Sequence, residues 1–131
     1  MKVIAVIVLA LLLGTVAFRS FGQQAFASPA DDDAVIEQLR LAGSDLSKPH
    51  PIDFYLYAPT QESAERIAGV LSHQGFTVKV EHAATGSEWL ALATKKVMPT
   101  SAALADLRRD LTAIALREHG DYDGWEAPIV K

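Results

Sequence analysis

A chain of 131 residues, half of them hydrophobic, has room for one packed domain and an appendage. Lys2 and Arg19 are the only charged side chains in the first 30 residues, so 10 of the 12 basic and all 16 acidic side chains fall in the remainder, which carries −6 against −4 for the whole chain. An acidic body argues against direct nucleic-acid binding, which needs clustered Lys and Arg, and suits a basic protein partner. The absence of cysteine removes disulfides, thiolate nucleophiles and Cys-ligated zinc from consideration.

Residues 3–18, VIAVIVLALLLGTVAF, carry no charge and lie between Lys2 and Arg19. A basic start, an apolar run and a polar segment ending in AFA at 25–27 form an export signal with cleavage after Ala27. Uncleaved, the same 16 residues with their neighbours just reach the length of about 20 that a membrane-spanning helix takes. Residues 1–27 are therefore a signal peptide or a single anchor. The amine and Lys2 against Arg19 favour the domain outside. The expected location is extracytoplasmic (periplasmic or secreted) or inner-membrane anchored, with a cytoplasm-facing anchor as the alternative. Membrane contact is confined to residues 3–18 if they are retained.

Residues 28–33, SPADDD, read as a linker whose three aspartates cap the next helix and complement its dipole. Consecutive aspartates point in different directions, which disfavours a metal site. The domain then occupies residues 34–131. A short helix over 34–42 places Val35, Ile36, Leu39 and Ala42 on one stripe and stops at Gly43. Pro49 and Pro51 bracket His50 and lead into a strand over 52–58, where Ile52, Phe54 and Leu56 alternate with Asp53, Tyr55 and Tyr57. A helix capped by Thr60 runs to about Gln74, with Ala64, Ile67, Ala68 and Leu71 on its buried stripe and Gly75 as a left-handed stop. Residues 76–82 alternate cleanly as a strand. The returning strand over 88–97 is apolar on both faces, as expected of a central strand. A helix opened by Pro99 and Thr100 buries Leu104, Leu107, Leu111, Ile114 and Ala115 and ends at Gly120. Residues 121–124 read as a turn and 125–130 as a short last strand, which Pro128 sends to a sheet edge.

This succession predicts an α+β fold, a ferredoxin-like βαββαβ sandwich. Its four-stranded antiparallel sheet has order 4-1-3-2, with two helices on one face and the short helix in front.

No catalytic constellation stands out. The histidines at 50, 73, 82 and 119 lack the spacing of a helical metal site, and His73 and His119 suit the last turns of helices. A metal pair of His50 and His82 depends entirely on the fold. The serines form no nucleophile elbow, the glycines no phosphate-binding run, and Arg108 and Arg109 read as a solvated helix face. No cofactor, metal or catalytic residue is assigned.

Two stretches, GSDLSKPHPIDFYLYAP at 43–59 and GDYDGWEAPIV at 120–130, carry a resemblance. Together they resemble the RraB family, protein regulators of ribonuclease E activity, whose domain shares this succession and a Tyr-Asp-Gly-Trp signature after its second long helix. Here the signature falls on Tyr122, Asp123, Gly124 and Trp125, and the resemblance spans about residues 34–131. It implies a non-enzymatic domain that inhibits the nuclease by docking on its scaffold region. It also marks Tyr122, Asp123, Gly124, Trp125 and Glu126 as candidate binding residues. With the apolar N-terminus, the leading expectation is a binding module with an unidentified protein partner outside the cytoplasm. The alternative is an anchored, cytoplasm-facing regulator of ribonuclease E. A small enzyme or ligand-binding protein with a site at Tyr122–Trp125 is the third. The signature itself reads either as a ligand loop or as a fold-defining turn whose Trp packs beside the helix.

Overall fold

The computed structural model describes residues 29–131, with side chains from Asp31 onward. The segment over residues 1–27 lies outside the described residues. Seven elements follow in order: α1 (Pro29–Leu41), β1 (His50–Ala58), α2 (Gln61–His73), β2 (Thr77–His82), β3 (Trp89–Val97), α3 (Ser101–Arg117) and β4 (Asp121–Glu126). The sheet order is β2-β3-β1-β4, antiparallel throughout, so β1 and β3 are central as expected.

Local chemistry accounts for most helix ends. Thr60 and Thr100 are extended, and their hydroxyl oxygens accept from the Ser63 and Ala103 amides at 3.1 Å. Each satisfies one amide that the helix leaves unpaired. The three helices among the described residues finish in the same paired bonds of a Schellman motif. Ser44 N to Leu39 O and Gly43 N to Arg40 O close α1, Phe76 N to Leu71 O and Gly75 N to Ser72 O close α2, and Gly120 N to Ala115 O and His119 N to Leu116 O close α3. The left-handed residue is Gly43 (φ 94°) in the first and Gly75 (φ 93°) in the second, but His119 (φ 60°) in the third.

The core lies between the sheet and the helices. Ile52, Phe54, Leu56 and Ala58 of β1 and Ala91 and Ala93 of β3 meet Ala64, Ile67 and Leu71 of α2 and Leu104, Leu111 and Ala115 of α3. The two-sided apolar pattern of β3 resolves here: Ala91 and Ala93 face the helices, whereas Leu90 joins Tyr55 and Tyr57 in a smaller cluster.

Two boundaries differ from expectation. The expected linker over 28–33 is helical from Pro29, which occupies the first helical position where its missing N–H leaves nothing unsatisfied. The last strand is Asp121–Glu126 rather than 125–130, so the expected turn at 121–124 is itself β-structure and Pro128 lies beyond the ladder. Pairing with β1 supplies hydrogen bonds that this acidic, glycine-containing stretch does not advertise. The strand is at an edge, as expected, but through topology rather than through its proline.

Candidate functional site

The YDGW stretch is shaped by one irregularity in the β1–β4 ladder. Phe54 pairs with Trp125 and Tyr55 with Gly124, but Leu56 pairs with Tyr122, so Asp123 is an extra residue bulging from β4. Strand side chains alternate between faces, and residues three apart would otherwise point in opposite directions. The bulge restores the match, and Tyr122 and Trp125 both turn toward the helices beside Leu56 and Phe54. Gly124 takes φ 112°, a conformation that side chains rarely adopt. Trp125 is 1 % exposed and Tyr122 5 %.

What meets the Trp is a buried acid. Trp125 Nε1 donates to Asp32 Oδ1 at 3.1 Å, and the other carboxylate oxygen forms an ion pair with Arg108. Asp32 is 2 % exposed and the Arg108 side chain 16 %. Burial pushes the Asp32 carboxyl above its ordinary value, while the Trp125 hydrogen bond and Arg108 pull it down. The Tyr122 hydroxyl is held well above its ordinary range, first by burial and then by the charge of Asp32. It is therefore an un-ionised phenol at any physiological pH. A further bond, Ser101 Oγ to Asp33 Oδ1 at 2.5 Å, ties α1 to the start of α3.

These contacts correct two expectations. Asp31, Asp32 and Asp33 lie inside α1 rather than at its N-cap, with Asp32 paired to Arg108, and Arg108 does not belong to a solvated face. Arg109 does remain exposed, beside Asp106 and Asp110. A signal for Asp32 exists in the sequence, since it lies three, four and seven residues before Val35, Ile36 and Leu39 on the helix stripe. Arg108 carries the same kind of signal, four residues after Leu104 and three and seven before Leu111 and Ala115. Of the candidate binding residues, Tyr122, Gly124 and Trp125 are buried, whereas Asp123 and Glu126 are half-buried.

The histidines separate. His50 starts β1 opposite Val97, whereas His82 ends β2 opposite Trp89, which in turn pairs with Ala58 at the far end of β1. The sheet thus holds them apart, and no metal pair forms. His82 stacks on Trp89 with ring centroids 3.8 Å apart. His73 does end α2, its Nδ1 2.9 Å from Gly69 O, but His119 lies two residues past the end of α3. Among the described residues no group of three or more potential ligands gathers to hold a metal.

His50 belongs to a cluster that sequence reasoning missed. Its Nδ1 donates to Lys48 O at 2.8 Å, and in that tautomer, assigned from the hydrogen-bond network, Nε2 accepts from the Ser44 hydroxyl at 2.5 Å. Ser44 Oγ also accepts from Val130 N at 2.9 Å, and Asp45 N donates to Val130 O at 2.6 Å. A Ser–His pair invites a nucleophilic reading, but His50 is fully buried and Ser44 is spent on Val130. The pair clasps the segment after β4 to the turn before β1. Ser44 and His50 are six residues apart with no helical or strand period linking them, so no sequence signal marks the pair.

The family model for regulator of ribonuclease activity B matches residues 30–127. The chain belongs to the RraB family. No curated protein matches it. The matched span covers α1 through β4, so the RraB signature and the acid it meets lie within one family domain. In this RraB-family chain the signature builds the bulge, fills the core and secures α1. The family is one of regulators, which accords with a protein-binding role.

Proposed function

We propose that the chain is a non-catalytic regulatory domain that acts by binding a protein partner, and that residues 3–18 export it or anchor it with the domain outside the cytoplasm. The family match over residues 30–127 carries the regulatory, protein-binding part of this reading, and the uncharged run at 3–18 carries the export part. The acidic body suits a basic partner surface. The burial of Tyr122 and Trp125 favours a fold-defining role for the signature over a ligand loop. No described helix is long and apolar enough to cross a membrane, and the apolar run lies outside the described residues.

Protease treatment of spheroplasts tests the placement. Degradation of the domain from outside supports it, and full protection overturns it. The family's description as a regulator of ribonuclease activity, with ribonuclease E as the target that the resemblance implies, supports a second reading, an anchored regulator facing the cytoplasm. That reading expects protection in spheroplasts together with inhibition of purified ribonuclease E by the chain.

A further inference from the structure

The two edges of the sheet differ. β4 is interrupted by the bulge at Asp123, which spoils it as a template for another strand. β2 contains no glycine, proline or bulge, pairs with β3 residue for residue from Thr77 to His82, and has no second strand beside it among the described residues. Just beyond it, Ala83 N donates to Glu88 O at 3.0 Å. Antiparallel ladders alternate between bonded and non-bonded pairs. It follows that Thr77, Lys79 and Glu81 direct their backbone groups to β3, and that Val78, Val80 and His82 direct theirs outward.

We propose that this edge pairs antiparallel with β2 of a second copy of the chain, centred on Val80. A two-fold axis brings identical edges together, and the outward groups must oppose one another. Three central registers meet that condition. Centring on Lys79 sets Lys79 against its own copy, and centring on Glu81 does the same for two carboxylates. Centring on Val80 sets each Lys79 opposite the Glu81 of the other copy and pairs Val78 with His82. Lys79 and Glu81 are 69 % and 46 % exposed and lie only 3.7 Å apart within their own strand, so both are available to exchange partners. A lysine on an edge strand ordinarily deters pairing. Here the glutamate two residues on answers it. The Val80 register is the one that charge selects, and it joins two four-stranded sheets into one continuous sheet.

The chain has no cysteine, which permits a clean test. Full-length chains carrying Lys79→Cys are mixed with chains carrying Glu81→Cys and oxidised. Directly opposed positions in a non-bonded pair lie about 4.5 Å apart between Cα atoms, within disulfide reach. Two copies of residue 79 sit on a diagonal of about 7–8 Å, beyond it. The expected result is a cross-linked dimer in the mixture and little in either variant alone. Sedimentation of charge variants is the second measurement. Lys79→Glu weakens dimerisation roughly tenfold by placing two acids opposite each other twice, and Lys79→Glu with Glu81→Lys restores it. A monomer in every sample, equal cross-linking by Lys79→Cys alone, or no recovery in the double variant overturns the proposal.

Discussion

The Trp125 indole N–H donates to the Asp32 carboxylate at 3.1 Å, joining residues 93 apart in the chain inside the core. Asp32 is also paired with Arg108, so one carboxylate unites α1, α3 and β4. Trp125→Phe keeps most of the apolar volume and removes the donor. A hydrogen bond to a buried charged group is worth about 1.5–3 kcal/mol, and a loss of that size is expected in chemical denaturation.

Arg108→Met leaves the Asp32 charge without its cation. The expected loss is about 3–5 kcal/mol at neutral pH, and replacing Asp32 by Leu in the same chain recovers most of it. The penalty also depends on pH. Asp32 already sits above its ordinary value of 3.8 because burial outweighs Trp125 and Arg108. The folded state thus holds this proton more tightly than the unfolded chain. The stability linked to it is complete below the unfolded value and is lost as pH rises through the folded one. Removing Arg108 moves the folded value further up, so the variant's deficit should grow from mildly acidic to neutral pH in stability curves. A deficit independent of pH would assign the effect to lost packing.

At the end of α3 a glycine and a histidine occupy adjacent positions with opposite consequences. A Cβ on Gly120 would fall 2.0 Å from Tyr57 O, so the glycine is required by close approach to β1. Gly120→Ala should lose about 1–3 kcal/mol, the usual range for overpacking. His119 instead carries the left-handed conformation, at φ 60°. His119→Gly should be neutral or gain up to about 1 kcal/mol, because it removes a strained β-carbon. Thermal melts check the assignment: Gly120→Ala lowers the midpoint and His119→Gly does not.

Gly124→Val puts a branched side chain at φ 112° within the bulge. The expected cost is about 1–3 kcal/mol, read from the denaturation midpoint. Wild-type stability would remove the conformational reason for glycine there.

Ser44→Ala deletes both the acceptor for the Val130 amide and the donor to His50. Hydrogen exchange at Val130 N–H should accelerate by roughly fivefold, about 1 kcal/mol of local protection, while core amides change less. Unchanged exchange at Val130 would mean that the Asp45–Val130 backbone bond holds the segment by itself.

Much of the scaffold was legible from local patterns. Thr60 and Thr100 stand where helix caps belong, and β1 and β2 alternate with the period of a strand. The signature was recognisable as a family marker but not as a strand, because Asp121, Asp123 and Gly124 are turn-forming residues by local preference. Pairing with β1 overrides that preference. Arg108 falls on the stripe of Leu104 and Leu111 but reads as solvated beside Arg109 and Asp110, and only the packing of α1 over it decides between the two. The Ser44–His50 clasp depends on Val130, 86 residues away from Ser44.

By itself, the sequence determined the element order, the caps at Thr60 and Thr100, the apolar faces of β1, β2 and the two long helices and, through these, the sheet order, while the signature marked the family. Periodicity and capping are short-range properties written in neighbouring residues. Only the tertiary structure decided that Asp123 bulges, that Tyr122 and Trp125 share one face, and that Asp32 lies buried between Trp125 and Arg108. Those outcomes rest on which backbone lies alongside β4 and which helix covers Asp32, and both are settled by packing between distant segments.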